Sequence, residues 1–311
     1  MSQVFHSVEE LAIPESFHKE LTSKGIGLKA MINHKIYIFG LPQSPPTNEE
    51  EGESDEDEND SDVSEEEDEE PFTVDCFDMD TREWSSIPLH QEAKDIPSFS
   101  VFSQVVSVNE KIYLIGMVTV DGQPMASVHE FIPETATFEL IYKKANCRSM
   151  RTALTVADHI RNRIYMVGGT SVRGYKHDVI YFDIVEREWH DLASIPYKNA
   201  YFAQSGVFWK SQYIVCVGGF ETSCSSTSDI LLLDVESKEW KTLYHHPQKE
   251  QDEDLDIYPK IKAGVCLISD HSASKLGLAT DGPQQNTLFV YGGRIECILM
   301  KDPSIESVMK C

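Results

Sequence analysis

Histidines next to carboxylates are the first residues that could do chemistry. His245 and His246 are adjacent, Asp252 and Asp254 follow nearby, and these side-chain types can bind zinc. Neighbouring positions on a strand point to opposite faces, so we interpret the pair as solvated loop histidines and predict no metal site. Two further pairs lack the nucleophile that a catalytic triad requires: His159 with Asp158, and His177 with Asp178. We therefore predict no catalytic residue and no cofactor, and we do not expect an enzyme.

Basic and aromatic residues offer a second kind of chemistry, the recognition of another protein. Arginine forms paired hydrogen bonds with carboxylates, and tyrosine provides rigid contact area with a polar tip. Taken singly, each such residue is an ordinary solvated loop residue, so the prediction depends on their grouping. We predict that a protein or an acidic peptide binds to the following residues: Arg148, Arg151, Arg173, Tyr175, Lys176, His177, Lys198 and Tyr201.

The overall charge limits the choice of partner. The chain of 311 residues has 52 acidic and 27 basic residues, which gives a formal net charge of −25. Nucleic acids and anionic membranes attract proteins through a basic surface. We therefore expect this protein to bind neither of them.

Much of the negative charge lies in one tract. Residues 49–70 contain 16 Asp and Glu and no Lys or Arg. Such a run repels itself and has almost no apolar side chains to bury, so we predict a disordered acidic insertion over residues 43–71. Ser54 and Ser64 each have an acidic residue three positions later, which resembles the sites of acidophilic kinases. The simpler interpretation of the tract is a solubilising spacer.

The cysteines and the N-terminus indicate the compartment. The sequence contains seven cysteines. Because this number is odd and no pair has the spacing of a zinc knuckle or a redox dithiol, we expect reduced thiols. Residues 1–20 are polar and lack the apolar segment of a signal peptide. We expect a cytoplasmic or nuclear protein.

An internal repeat predicts the elements that position the basic and aromatic residues. A strand-like run ending in glycine occurs at residues 35–40, 111–116, 163–169, 212–219 and 287–293. After each of the first four runs comes an aromatic residue or Leu, then usually Asp, and a large aromatic seven positions after the first residue. These pairs are Phe77 with Trp84, Phe131 with Phe138, Phe182 with Trp189, and Leu233 with Trp240. The closing aromatics are 54, 51 and 51 residues apart. A period near this length, with strand-like runs and no amphipathic helix, predicts propeller blades of four antiparallel strands.

The two phrases together resemble the kelch motif, most clearly in residues 164–189 and 213–240. The resemblance covers most of the chain, with Leu41 and Met117 replacing the second glycine of the first two copies and no closing Trp in the last copy. It implies an all-β, kelch-type β-propeller with five detectable four-stranded blades in a single domain, residues 1–311. The motif residues are then structural: Gly168, Gly169, Gly218, Gly219, Gly292, Gly293, Trp84, Phe138, Trp189 and Trp240. We expect the glycines to avoid a side-chain clash at the end of the second strand.

The N-terminal segment is predicted to close the ring. Residues 5–14 have the aromatic start, the alternation and the final Pro of the outer strands near residues 84–88 and 189–196. We expect them to complete the last blade as its outer strand. An open ring would instead leave strand edges that pair into a homodimer.

Strand parity predicts which loops share a face. In a blade of four antiparallel strands, the second-to-third loop and the connection to the next blade lie at the same end. The eight basic and aromatic residues and the acidic insertion should therefore share one face. We expect the tethered tract to occupy the basic residues until a partner displaces it.

The family resemblance implies a function for this face. Kelch propellers generally bind proteins or peptides there, often as substrate receptors of cullin-RING ubiquitin ligases. The expectation is a non-catalytic protein-interaction module, with ubiquitin ligase assembly as one role. The alternative is a propeller enzyme or metal-binding protein of the galactose-oxidase-like or specifier type. The four-residue spacing of Glu, Asp and His that specifier proteins use is absent from this sequence.

Overall fold

A computed structural model describes fourteen stretches of the chain and assigns only β-strands as regular elements within them. The described residues are 28–40, 72–91, 96–97, 103–120, 123–145, 152–171, 174–196, 201–202, 204–221, 226–244, 264–268, 286–291, 296–300 and 309–310. In these stretches no helix is long and apolar enough to cross a membrane.

The strands form five antiparallel sheets of four or five strands, which we call blades 1 to 5 in chain order. Blade 1 contains β1 (Leu28–Ile32), β2 (Lys35–Phe39), β3 (Thr73–Asp78) and β4 (Glu83–Pro88). Blade 2 contains β5 (Gln104–Val108), β6 (Lys111–Val120), β7 (Gln123–Ile132) and β8 (Thr137–Ala145).

The next three blades follow the same order. Blade 3 contains β9 (Leu154–Asp158), β10 (Arg163–Val167), β13 (Asp178–Asp183) and β14 (Glu188–Ser194), with a ribbon of β11 (Thr170–Ser171) and β12 (Gly174–Tyr175) between its second and third strands. Blade 4 contains β15 (Tyr201–Phe202), β16 (Ser205–Trp209), β17 (Tyr213–Glu221), β18 (Ser226–Asp234) and β19 (Trp240–Tyr244). Blade 5 contains β20 (Gly264–Ile268), β21 (Asn286–Tyr291), β22 (Glu296–Met300) and β23 (Met309–Lys310).

The blades pack against one another in chain order through their first strands. β1 contacts β5, β5 contacts β9, β9 contacts β16, and β16 contacts β20. Three apolar clusters fill the junctions between blades 1 and 2, 2 and 3, and 3 and 4. Blades 1 to 4 therefore bury the faces that meet at these three junctions, which supports the all-β propeller class. Four blades are described with their side chains, and the fifth by its backbone.

The repeated aromatic pairs form cross-strand contacts. Phe77 is paired with Trp84, Phe131 with Phe138, Phe182 with Trp189, and Leu233 with Trp240 in the register between the third and fourth strands. The Phe77 and Trp84 rings have centroids 5.0 Å apart, and those of Phe131 and Phe138 are also 5.0 Å apart. The seven-residue spacing is thus the length of the hairpin that brings the two side chains together.

The Asp in the repeated phrase closes that hairpin. Asp78 Oδ1 accepts hydrogen bonds from the backbone N–H groups of Asp80 and Thr81 at 2.9 and 3.1 Å. Asp183 and Asp234 accept the corresponding pairs of bonds in blades 3 and 4. Such side-chain bonds to the backbone two and three residues later favour a turn. The hydrogen bond from Thr81, followed by the one from Asp80, lowers the pKa of Asp78.

The connections divide between the two ends of each blade. The turns between first and second strands and between third and fourth strands lie at one end, which we call the turn face. The connections between second and third strands and between blades lie at the other end, which we call the loop face. The predicted acidic insertion falls between β2 and β3, on the loop face, but residues 41–71 are outside the described residues. Its disorder therefore stays a prediction.

The prediction that the N-terminal segment closes the ring is not supported. Residues 5–14 lie outside the described residues. The outer position beside β22, which they were expected to fill, is taken by β23. The last blade therefore obtains its fourth strand from the residues that follow its own third strand.

Candidate functional site

The loop face contains the part of the predicted binding surface that the structure describes. Tyr175 ends β12 of blade 3, Lys176 and His177 follow it, and Tyr201 begins β15 of blade 4. The other four predicted residues lie outside the described residues: Arg148, Arg151, Arg173 and Lys198. The strand order thus places four of the eight residues at the loop-face ends of two adjacent blades.

The segment that carries Lys176 and His177 is fixed at both residues. The Lys176 backbone N–H donates to the Gly169 carbonyl oxygen at 2.9 Å, and the Ile195 N–H donates to the His177 carbonyl oxygen at 2.7 Å. Both side chains are partly exposed. The backbone therefore holds a cation and an imidazole at the loop-face end of blade 3.

The glycine pairs of blades 3 and 4 have a left-handed backbone. Gly168 and Gly169 have φ values of 64° and 92°, and Gly218 and Gly219 have values of 63° and 100°. Residues with a Cβ rarely adopt this left-handed conformation. At Gly40 a Cβ would meet nothing within 4 Å, so a clash does not explain that glycine. The clash expected at the glycine pairs stays a prediction. The pairs in blades 3 and 4 thus allow the left-handed backbone at the loop-face end of the second strand. Gly292 and Gly293 lie outside the described residues.

The glycines lie within rows of residues that cross each blade. The strand registers place Ser103, Gly116 and Ser127 at one level in blade 2, and Ala153, Gly168 and Asp178 at the same level in blade 3. In blade 4, Gln204 directly precedes β16, whose first residue Ser205 pairs with Val217, and the register between β17 and β18 shifts between Val217 and Gly219. Each row faces the preceding blade at the loop-face end, so small and polar residues surround the glycine there.

Blade 4 differs from blades 2 and 3 at the first position of this row. Gln204 is 6% exposed, and its Oε1 and Nε2 have no hydrogen-bond partner. Sequence reasoning missed this residue because it precedes the repeated phrases. Aligning the first strands of the blades would have found it, since Ser103 and Ala153 are small where Gln204 is long.

Blade 2 has two more buried polar groups without partners near its row. Ser127 is 1% exposed and His129 is 3% exposed, and neither Ser127 Oγ nor His129 Nδ1 has a hydrogen-bond partner. Both residues lie on the face of β7 that is directed at blade 1, as Phe131 does. Burial lowers the pKa of His129 to about 4, so this imidazole is neutral at pH 7.

The turn face, in contrast, contains polar groups that bond to one another across blades. The Asn109 N–H donates to His159 Nδ1 at 3.1 Å, and Asn109 Nδ2 donates to the His159 carbonyl oxygen at 2.8 Å. Arg161 of blade 3 donates to the Ser211 carbonyl oxygen of blade 4 at 2.6 Å and to Glu236 at 2.7 Å. His159 therefore joins blades 2 and 3, which gives it a structural role in place of a catalytic one.

The described stretches contain no group of three or more His, Cys, Asp or Glu residues that could hold a metal ion. His245, His246, Asp252 and Asp254 fall outside these stretches. Among the described cysteines, burial raises the pKa of the Cys216 thiol far above its usual range, which keeps it protonated.

These features define a β-propeller whose loop face carries the partly exposed Lys176 and His177 and whose turn face contains hydrogen bonds between blades. The chain belongs to the Kelch-repeat family: the model described as the KLHDC2/KLHL20/DRC7 Kelch-repeats domain matches residues 30–254. This match covers blades 1 to 4 almost completely. Domains of this family are generally non-enzymatic protein-interaction modules. A comparison with curated proteins finds no match.

Proposed function

We propose that this protein is a non-catalytic interaction module that binds an acidic peptide or an acidic segment of a protein on its loop face. The single observation that carries the proposal is the partly exposed Lys176, which the backbone holds beside His177 at the loop-face end of blade 3. The turn face, in contrast, contains hydrogen bonds that join neighbouring blades.

Carboxylates are the chemical groups that suit these residues. Lysine and arginine donate charge-assisted hydrogen bonds to carboxylates, and tyrosine adds rigid contact area. Among the basic residues of this surface, Lys176 is the one that lies within the described residues. Arg148, Arg151, Arg173, Lys198 and the two tyrosines would extend it across the junction of blades 3 and 4.

The acidic tract is proposed to compete with the partner. Residues 49–70 lie in the connection from the end of β2 to the start of β3, and both of these strand ends are on the same face as Lys176. A short flexible tether gives an effective concentration on the order of millimolar. The tract would then occupy the basic residues in the free protein, and an acidic partner would displace it.

A titration with fluorescein-labelled poly-glutamate peptide tests the proposed ligand chemistry. We expect the intact protein to bind it and the variant with Arg148, Arg151, Arg173 and Lys176 changed to Ala to bind it at least tenfold more weakly. The matched control changes four basic residues on the turn face to Ala: Arg82, Arg187, Lys210 and Lys238. Because both variants lose the same charge, equal weakening would indicate bulk electrostatics and would contradict a loop-face site.

Deletion of residues 49–70 tests the competition. We expect the deletion variant to bind poly-glutamate several-fold more tightly than the intact chain at low salt. The difference should shrink as salt rises, since salt screens exposed charges. An affinity that the deletion leaves unchanged across the salt series would contradict occupancy by the tract.

Ubiquitin ligase assembly is a second proposal within this function. It is supported by membership of the Kelch-repeat family, whose propellers often serve as substrate receptors. Recovery of cullin-RING ligase subunits with the intact protein from cell extract would support it. Recovery of other partners without any ligase subunit would contradict it.

A further inference from the structure

The outer strand of blade 2 is the longest outer strand of the described blades. β8 is the last strand in the order of its sheet and has nine residues. The outer strands of blades 1, 3, 4 and 5 have six, seven, five and two residues. An edge strand presents backbone N–H and C=O groups that its own sheet does not use. β8 therefore offers more of these groups than any other described outer strand.

Gln91 shows which main-chain groups of β8 point outward. Gln91 Nε2 donates to the Phe138 carbonyl oxygen at 2.8 Å, and Gln91 Oε1 accepts from the Phe138 backbone N–H. Both main-chain groups of Phe138 thus point away from β7. The direction alternates along a strand, and the register with β7 is regular from Phe138 to Leu140. The N–H and C=O of Leu140 therefore point outward as well, beyond the place that Gln91 occupies.

Leu140 is also the apolar exception at its position. The residues two places after the closing aromatic in the other blades are polar: Ser86, Asp191 and Thr242. Leu140 is 43% exposed, although it is a large apolar residue. The outer edge of blade 2 is thus accessible at this residue, and it offers an apolar side chain beside outward main-chain groups.

Two lysines follow at the loop-face end of β8. Lys143 is opposite Ser127 and Lys144 is opposite Ala126 in the register with β7. Both lysines are exposed, and neither belongs to an ion pair within the described residues. β8 leads into the connection that carries Arg148 and Arg151. The charge of this edge is therefore continuous with the basic residues predicted on the loop face.

We propose that the acidic partner adds an extended segment to the outer edge of β8. The main chain of the segment pairs with the outward N–H and C=O of Leu140, and its carboxylates bind Lys143 and Lys144. Strand addition to a sheet edge is a general mode of peptide recognition, in which main-chain bonds give affinity and side chains give specificity. The inference rests on the proposed function, because it specifies how the acidic partner is held.

The lysines also select the occupant of the edge. A second copy of β8 would bring the lysines of both copies together, and like charges on paired strands are destabilising. Lysine on an edge strand is a common protection against such pairing. An acidic segment meets no such repulsion and forms charge-assisted hydrogen bonds with the same lysines.

The first test measures the charge of the edge, with the full-length protein and fluorescein-labelled poly-glutamate as the probe. We expect the double variant Lys143→Ala with Lys144→Ala to bind about fivefold more weakly than the wild type. The matched control, Arg82→Ala with Lys238→Ala, loses the same charge from exposed residues of the turn face and should bind like the wild type. Equal weakening of both variants would contradict a site at β8.

The second test measures the main-chain pairing. Proline is tolerated on an edge strand where its missing N–H would face outward, so Leu140→Pro removes the proposed donor and keeps the pairing with β7. We expect it to weaken binding about fivefold, as the loss of one hydrogen bond does. Leu140→Ala keeps the N–H and should bind nearly as tightly as the wild type.

Hydrogen exchange read by mass spectrometry needs no substitution. Saturation of the wild type with poly-glutamate should slow exchange in residues 137–145 and leave the outer strands of blades 3 and 4 unchanged. Unchanged exchange in residues 137–145 would overturn the inference. If the loop-face variant with Arg148, Arg151, Arg173 and Lys176 changed to Ala still binds more weakly in that case, the proposed function stands alone. If the wild type does not bind the probe, both fail.

Discussion

The turn face and the loop face are built from the same strands but use their polar groups differently. At the turn face, Arg161 of blade 3 donates to Ser211 and Glu236 of blade 4. At the loop face, Lys176 and His177 are partly exposed. Buried polar atoms without partners occur towards both ends, as in Gln204 and in the indole of Trp209. The comparison teaches that the turn face joins neighbouring blades through hydrogen bonds, while the loop face presents polar side chains that a ligand can reach.

The positions of the ion pairs also bear on the comparison of the two faces. Lys35 pairs with Asp78, Lys111 with Glu130 and Arg163 with Asp183, all near the turn face. In blade 2 Ile132 replaces the repeated Asp, and Lys111 bonds Glu130 at 2.7 Å instead. The turn face of blade 2 thus has an ion pair although the repeated Asp is absent there. This indicates that an ion pair at this position stabilises the blade.

The largest expected effect is at the turn face. Asp158 is fully buried, and its carboxylate accepts from the backbone N–H groups of Ile160 and Arg161 and from the Arg161 side chain, each at 3.0 Å. Asp158→Ala should lower the free energy of unfolding by about 2 kcal/mol, because three partly buried donors lose their charged acceptor. Urea unfolding measures this change.

The matched control is Asp80→Ala, which removes an exposed carboxylate 3.2 Å from His34 Nδ1. Exposed ion pairs contribute about 0.5 kcal/mol or less, so this variant should unfold like the wild type. An equal loss of unfolding free energy from both substitutions would contradict the expectation that, at the turn face, the bonds of a buried carboxylate stabilise the fold more than those of an exposed one.

The next effect is a pH dependence that comes from His129, which lies opposite Leu114 in the middle of blade 2. The pKa of His129 is about 4 in the folded protein, below its ordinary value of 6.5. The unfolded chain therefore binds a proton first as the pH falls, and stability decreases below about pH 6.5. Between pH 7 and pH 5 the loss due to His129 should be about 2 kcal/mol.

His129→Leu identifies that part of the pH dependence, since the variant lacks the imidazole. Urea unfolding at pH 7 and pH 5 should show a smaller decrease for His129→Leu than for the wild type. An equal decrease in both proteins would assign the pH dependence to the carboxylates.

The smallest expected effect concerns the glycines at the loop face. Gly218→Ala places a Cβ on a residue with φ of 63° and should cost about 1 kcal/mol. Gly40→Ala has open space around its Cβ and should be neutral or slightly stabilising. Thermal unfolding distinguishes the two variants. Equal destabilisation would show that a close approach, and not the left-handed backbone, selects these glycines.

Much of the fold could be predicted because its signals are local in sequence. Phe182 and Trp189 are seven residues apart, and the structure pairs them across one hairpin. The role of Asp183 in that hairpin also follows from its position. The outer strand of blade 5 could not be predicted in the same way, since a two-residue strand such as β23 has no pattern of its own.

The candidate site was less predictable, because its residues meet only when the blades pack. Lys176 and His177 could be placed on the loop face from strand parity alone. The burial and missing partners of Gln204 and His129 became apparent only in the structure, because they depend on the neighbouring blade. Arg148 and Arg173 stay predictions, as they lie outside the described residues.

The most direct test of the account is a pull-down from cell extract, read by mass spectrometry, with three forms of the full-length protein. These are the intact chain, the loop-face variant with Arg148, Arg151, Arg173 and Lys176 changed to Ala, and the turn-face variant with Arg82, Arg187, Lys210 and Lys238 changed to Ala. The account predicts that the intact chain and the turn-face variant recover the same partners and that the loop-face variant loses them. Partners lost from the turn-face variant and kept by the loop-face variant would contradict it.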